Sequence, residues 1–128
     1  MKNNVEIGRL GEEIAVEYLM REKFSLIKQN TWLAGAEIDI IAAKNHKIHF
    51  IEVKTVSYET KKELIAAVTH ETWRPEERVD HNKRRKIAKA VSQYTQKEEA
   101  DDWQVDVLAI RVVPRETYAT VNYLEHVL

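Results

Sequence analysis

The run Glu37-Ile38-Asp39-Ile40-Ile41-Ala42-Ala43-Lys44-Asn45-His46-Lys47-Ile48-His49-Phe50-Ile51-Glu52-Val53-Lys54-Thr55 reads as two strands, Glu37–Ala43 and Lys47–Thr55, joined by a hairpin turn. Both segments are rich in Ile, Val and Phe, and Asn45 tolerates the left-handed backbone such a turn requires. Alternate residues of a strand share a face. Glu37, Asp39 and Ile41 therefore point one way, and Ile48, Phe50, Glu52 and Lys54 share a face of their strand. A turn centred between Asn45 and His46 predicts antiparallel pairing of Asp39 with Glu52 and of Glu37 with Lys54. Two carboxylates across a ladder repel each other, and burying unpaired charge in apolar strands is costly. A divalent cation resolves both problems, because Mg²⁺ binds through one or two carboxylates and completes its shell with water and phosphate. Lys54, two residues beyond Glu52, is placed to position a water or to stabilise charge building on a phosphate.

Working outward, Ile7, Leu10, Gly11, Ile14, Ala15, Tyr18 and Leu19 recur at helical spacing and predict a helix from about Asn4 to Lys23, capped by Asn3 or Asn4. Glu12 falls beside this apolar stripe, on the row of Gly8, Ala15 and Leu19. Glu13 falls on the polar row of Arg9 and Glu17. Glu12 is thus the acid expected to join Asp39 and Glu52. A strand is expected over Ser25–Thr31, followed by a loop from Trp32 to Ala36. From Val56 to Arg74 no period stands out, although Lys62–Val68 fits a short helix. Pro75 favours a turn or a first helical position. Asp80 suits the cap of a second long helix, about His81–Lys97, with Ile87, Ala90, Val91 and Tyr94 inward. Trp103–Val112 is a strong strand and Thr117–Asn122 a weaker one, and the tail Tyr123–Leu128 has no clear state. The order helix, three strands, helix, two strands predicts an α/β fold with a mixed central β-sheet flanked by helices.

The 128 residues fit one domain, residues 1–128. There is no cysteine, which excludes disulfides, thiolate metal sites and cysteine nucleophiles. No apolar run suits a signal peptide or a membrane span, so the expectation is a cytoplasmic protein without a membrane partner. The formal net charge of −1 argues against a broadly basic nucleic-acid binder. Any such contact must use a local surface, and Lys83-Arg84-Arg85-Lys86 is the densest basic stretch. Lys83 falls one turn before Ile87, toward the core edge. Lys83, Arg84 and Lys86 are the candidate phosphate contacts. Asp106, in the strong strand, is read as a structural acid paired with Lys83 or another base, or as an outer support of the site. The histidines show no tight ligand spacing, so zinc is not expected. No glycine-rich phosphate loop and no serine nucleophile motif is present.

At these same residues the chain resembles the YraN-like family of small bacterial proteins, itself similar to the PD-(D/E)XK nuclease superfamily and its archaeal Holliday-junction resolvases. The matching stretches are Gly8-Arg9-Leu10-Gly11-Glu12-Glu13-Ile14-Ala15 with Tyr18-Leu19, then Glu37-Ile38-Asp39-Ile40-Ile41-Ala42, then Phe50-Ile51-Glu52-Val53-Lys54-Thr55. Pro75-Glu76-Glu77 with Val79 and Lys83 follows, and then Val105-Asp106-Val107. The chain departs from the family pattern at Val56, where Arg is frequent, and around Trp32, where a basic residue is common. The resemblance implies a restriction-endonuclease-like sheet. It also implies a site of Glu12, Asp39, Glu52 and Lys54 that binds Mg²⁺ or Mn²⁺ and hydrolyses phosphodiesters, in branched or structured DNA. The two alternatives are a non-catalytic nucleic-acid-binding module and a dimeric interaction protein that keeps the fold, so a homodimer is among the expected partners.

Overall fold

The structure is a computed structural model that describes residues 3–69 and 81–128. Helix α1 (Asn4–Arg21) leads into strands β1 (Ser25–Leu33), β2 (Ala36–Lys44) and β3 (Lys47–Ser57). Helices α2 (Lys61–Thr69) and α3 (His81–Lys97) follow, then β4 (Trp103–Val113), a 3₁₀ turn (Pro114–Glu116) and β5 (Tyr118–Leu124). The strands form one sheet in the order β1-β2-β3-β4-β5. All neighbours are antiparallel except β3 and β4, which run parallel and are joined through the helices. This is the expected mixed α/β sheet, consistent with a restriction-endonuclease-like fold. The expected order lacked a separate α2, although the fit of Lys62–Val68 to a short helix was sound. The readings at Pro75 and Asp80, and the family matches at Pro75-Glu76-Glu77 and Val79, fall outside the described residues.

Asn3 caps α1 by accepting the Glu6 backbone N–H at 2.9 Å, which satisfies one of the orphan donors of the first turn. Two two-residue turns join the first three strands. Asn45 and His46 have φ of 53° and 64°. Ala34 and Gly35 have φ of 50° and 82°. Positive φ at both central positions is the turn geometry that matches strand twist. The loop expected over Trp32–Ala36 therefore shrinks to Ala34-Gly35, and Trp32 and Leu33 join the ladder.

The sheet buries both faces. Ile7, Ala15 and Leu19 of α1 pack with Ile40, Ala42, Ile51, Leu108, Ile110 and Val112. On the other face Ile87, Ala90, Val91 and Tyr94 of α3 pack with Ile41, Phe50, Val105 and Val107. The α1 stripe is narrower than expected: Leu10, Ile14 and Tyr18 are only partly covered. Gly11 sets how closely α1 approaches β3. A Cβ there would stand 1.8 Å from Thr55 Oγ1 and 2.8 Å from Thr55 Cβ. A Cβ at Gly8 would meet nothing within 4 Å. Gly11→Ala is accordingly expected to lower unfolding free energy by about 1–3 kcal/mol through overpacking. Gly8→Ala should raise it by up to about 1 kcal/mol through helix propensity. Parallel urea titrations test the pair, and equal effects would contradict this docking geometry.

Candidate functional site

The β2–β3 ladder has the register expected of a turn centred on Asn45-His46, from Lys44–Lys47 to Ile40–Ile51. The ladder then stops. Asp39 does not exchange backbone bonds with Glu52. Its Oδ2 instead accepts the Val53 N–H at 2.8 Å. The expected pairing of Glu37 with Lys54 is not formed either, because it lies beyond the last rung. The cause is local: between the pairs Gln29–Ile40 and Thr31–Ile38 stand Asn30 and Asp39, which do not pair. Asn30 has φ of 49°. There β2 changes face, with Ile38 packing on the α3 side and Ile40 on the α1 side.

This kink gathers acids from three elements. With its amide nitrogen turned toward them, Asn30 donates to Glu12 Oε1 at 2.8 Å and to Glu37 Oε1 at 2.9 Å. Glu12 is half-buried and Glu13 exposed, as expected. Burial, and then the charge of Glu37, push the Glu12 carboxyl above its ordinary value. Asp39 is pushed up to about 7, by burial first and then by Glu52 and Glu12, against the opposing Val53 N–H and Lys83. An open cleft of about 770 Å³ lies between the N-terminal half of α1 and β2–β3, with Gly8, Arg9, Glu12, Asn30, Asp39 and Thr55 among its lining residues.

Glu52 and Lys54 lie on the α3 side of β3, sharing the face of Phe50. Lys54 Nζ is 3.2 Å from Glu52 Oε1, and Lys83 Nζ of α3 pairs with the same oxygen. Burial, and then the adjacent Lys83, lower the Lys54 pKa. Burial also opposes charge on Lys83, but the Glu52 carboxylate beside it prevails and the Lys83 pKa is raised. Asp39 lines both the cleft and a small void that it shares with Glu37, Glu52 and Ile87. The four expected residues thus form two groups, Glu12 with Asp39 at the cleft and Glu52 with Lys54 behind it, adjoining at Asp39. Among the described residues no three His, Asp or Glu side chains stand in metal-holding proximity.

The basic stretch divides. Lys83 turns inward to Glu52, as its place before Ile87 suggested. Arg84 and Lys86 are exposed on α3, which covers the sheet face opposite α1 and the cleft. Asp106 does not pair with Lys83. It is fully buried and accepts from His49 Nδ1 at 2.8 Å, because parallel β3–β4 pairing brings the two strands' polar residues onto one face. Asn30 was not singled out in the sequence. Its signal was an Asn in an otherwise plausible strand, opposite an Asp.

The chain matches the model of the Uncharacterised protein family UPF0102 over residues 11–110, a span that contains Glu12, Asp39, Glu52, Lys54 and Lys83. It is 34% identical over 105 residues to a UPF0102 protein of Campylobacter jejuni, covering 81% of this chain and 82% of the relative. A UPF0102 protein of Christiangramia forsetii is 32% identical over 111 residues, covering 86% of this chain and 84% of the relative. One of Dictyoglomus thermophilum is 33% identical over 110 residues, covering 84% of each.

Proposed function

The chain belongs to the UPF0102 family, and from that premise and the carboxylates at the cleft we propose that it is a divalent-cation-dependent phosphodiesterase acting on nucleic acid, with DNA the preferred substrate. The observation that carries this reading is the placement of Asp39, which lines the cleft with Glu12, shares a void with Glu37 and Glu52, and accepts the Val53 N–H. Its carboxyl is raised to about 7 by burial and by Glu52 and Glu12. A folded protein holds such a group at a cost unless a ligand compensates it.

The donor set fits a hard cation that prefers oxygen. Asp39 and Glu52, which line a common void, would hold Mg²⁺ or Mn²⁺ together with water, and Glu12 would join them only by moving in from the cleft side. Bound there, the ion supplies Lewis acidity toward a phosphoryl oxygen. The chain's own residues supply the rest. The Val53 N–H fixes the Asp39 carboxylate, and Asn30 fixes Glu12. The cleft opens between α1 and the sheet, and a nucleic-acid strand would lie there. Lys54, held beside Glu52 on the α3 side of the sheet, would hydrogen-bond to the charge that develops on the phosphate as water attacks phosphorus and gives its proton to solvent, while the departing ester oxygen takes one from solvent.

Plasmid, flap and four-way-junction cleavage in Mg²⁺ and Mn²⁺ tests the reading. The expected result is cation-dependent cleavage that falls by roughly a hundredfold or more in Lys54→Ala and Glu52→Gln. Wild type and Lys54→Ala behaving alike on every substrate would overturn it. The pairing of Glu52 with Lys54 and Lys83 favours a second reading, a charge network that is purely structural. On that reading Glu52→Gln lowers stability and leaves Mn²⁺ affinity and DNA binding unchanged.

A further inference from the structure

Two ammonium groups converge on one oxygen of Glu52. Lys54 reaches Oε1 from two residues along the same strand, and Lys83 reaches it from the first turn of α3. Together they place two positive charges at a single carboxylate oxygen, the charge of one divalent ion. The two lysines are held differently. The side chain of Glu52 is 11% exposed and that of Lys54 19%, whereas that of Lys83 is 39% exposed. Lys54 is fixed to a central strand. Lys83 extends a long flexible stem inward from the protein surface and can return its charge to water without leaving it buried. A nearly buried carboxylate such as Glu52 requires a positive partner at all times. Lys54 supplies one such partner permanently, and Lys83 supplies the second when no other cation is present.

We propose that Lys83 holds the divalent cation's place on Glu52 and is exchanged out of it when the cation binds. This rests on the reading of Glu52 as a cation ligand. Lys83 is then a positioning residue. It keeps the Glu52 carboxylate aimed, and it competes with the ion for the same oxygen. Lys54 stays beside Glu52 in both states. Cation binding therefore releases a surface-reaching ammonium at the edge of the site.

Mn²⁺ titration calorimetry of the whole chain tests this with wild type, Lys83→Met, Lys83→Arg and Lys83→Met combined with Glu52→Gln. Lys83→Met keeps the apolar stem and removes the competing charge, so it is expected to bind Mn²⁺ roughly tenfold more tightly than wild type. Lys83→Arg restores the wild-type affinity, and the added Glu52→Gln abolishes the gain. Thermal melts without metal confirm that each variant is folded. If wild type binds Mn²⁺ and Lys83→Met binds it no more tightly, the exchange is overturned while the cation-dependent function stands. If the gain survives Glu52→Gln, it comes from net charge and the exchange is again overturned. If neither wild type nor Lys83→Met binds Mn²⁺, both the exchange and the function fail.

Discussion

Asp106→Ala is expected to lower the unfolding free energy by about 3–5 kcal/mol, enough to leave little soluble protein. Asp106 is 0% exposed. It accepts from His49 Nδ1 at 2.8 Å, from Gln104 Nε2 at 2.8 Å and from the His126 backbone N–H at 3.1 Å, and also from the Tyr123 hydroxyl. A carboxylate only accepts, so His49 Nδ1 must carry a hydrogen. Burial and the bond to Asp106 push the Tyr123 hydroxyl above its ordinary pKa, which keeps it a donor. One carboxylate therefore gathers donors from β3, β4, β5 and the tail after β5. Its removal strands an imidazole that is 6% exposed, together with an amide and a phenol, where water cannot replace the acceptor. Asp106→Asn retains one acceptor and should lose less. Urea unfolding followed by tryptophan fluorescence measures both variants. A loss below about 1 kcal/mol for Asp106→Ala would show that this cluster does not hold the strands.

Asp39→Asn should do the opposite in the absence of cation, with a pH signature. The folded-state pKa is about 7 against an ordinary 3.8. Between those values the folded protein binds more protons than the unfolded chain, so this group makes stability fall as pH rises through the window. The full span corresponds to about 4 kcal/mol, and screening at the open cleft reduces it to about 2 kcal/mol. Asparagine carries no charge and its oxygen still accepts the Val53 N–H. The variant should match wild type near pH 4 and exceed it above pH 7, by roughly 5–10 °C in melting temperature. Added Mn²⁺ should raise the wild-type melting temperature above pH 7 and leave Asp39→Asn unmoved. A difference between the two proteins that stays constant from pH 4 to 8 would remove Asp39 as the strained group.

What was legible in the sequence was what depends on neighbours along the chain. The register through Asn45-His46 follows from turn geometry and strand alternation, and the structure keeps it as far as Ile40–Ile51. The burial of Glu12 rather than Glu13 follows from helical phase. The inward turn of Lys83 follows in the same way from its place before Ile87. What failed depends on a partner strand that the chain does not announce. Alternation assigns Ile38 and Ile40 to one face, but left-handed Asn30 across from Asp39 moves them to opposite faces. That is why Glu37 meets Asn30 instead of Lys54. The partner of Asp106 was hidden similarly, because His49 reaches it only through parallel pairing of strands distant in sequence. The separation of the expected site into a cleft side and an α3 side stems from the same kink.

The two tight turns also order events in time. Strands β1, β2 and β3 need only Ala34-Gly35 and Asn45-His46 to meet, whereas β4 must return to β3 after the chain has travelled from Ser57 to Trp103. Local hairpins close within microseconds, and distant pairing is slower because its loop-closure entropy is larger. Asp39 and Glu52 therefore come together in the nascent meander before α3 has brought Lys83 to them. In that early meander Lys54 already stands beside Glu52 on the same strand, and the docking of α3 adds Lys83 as a second cation to the acidic pair.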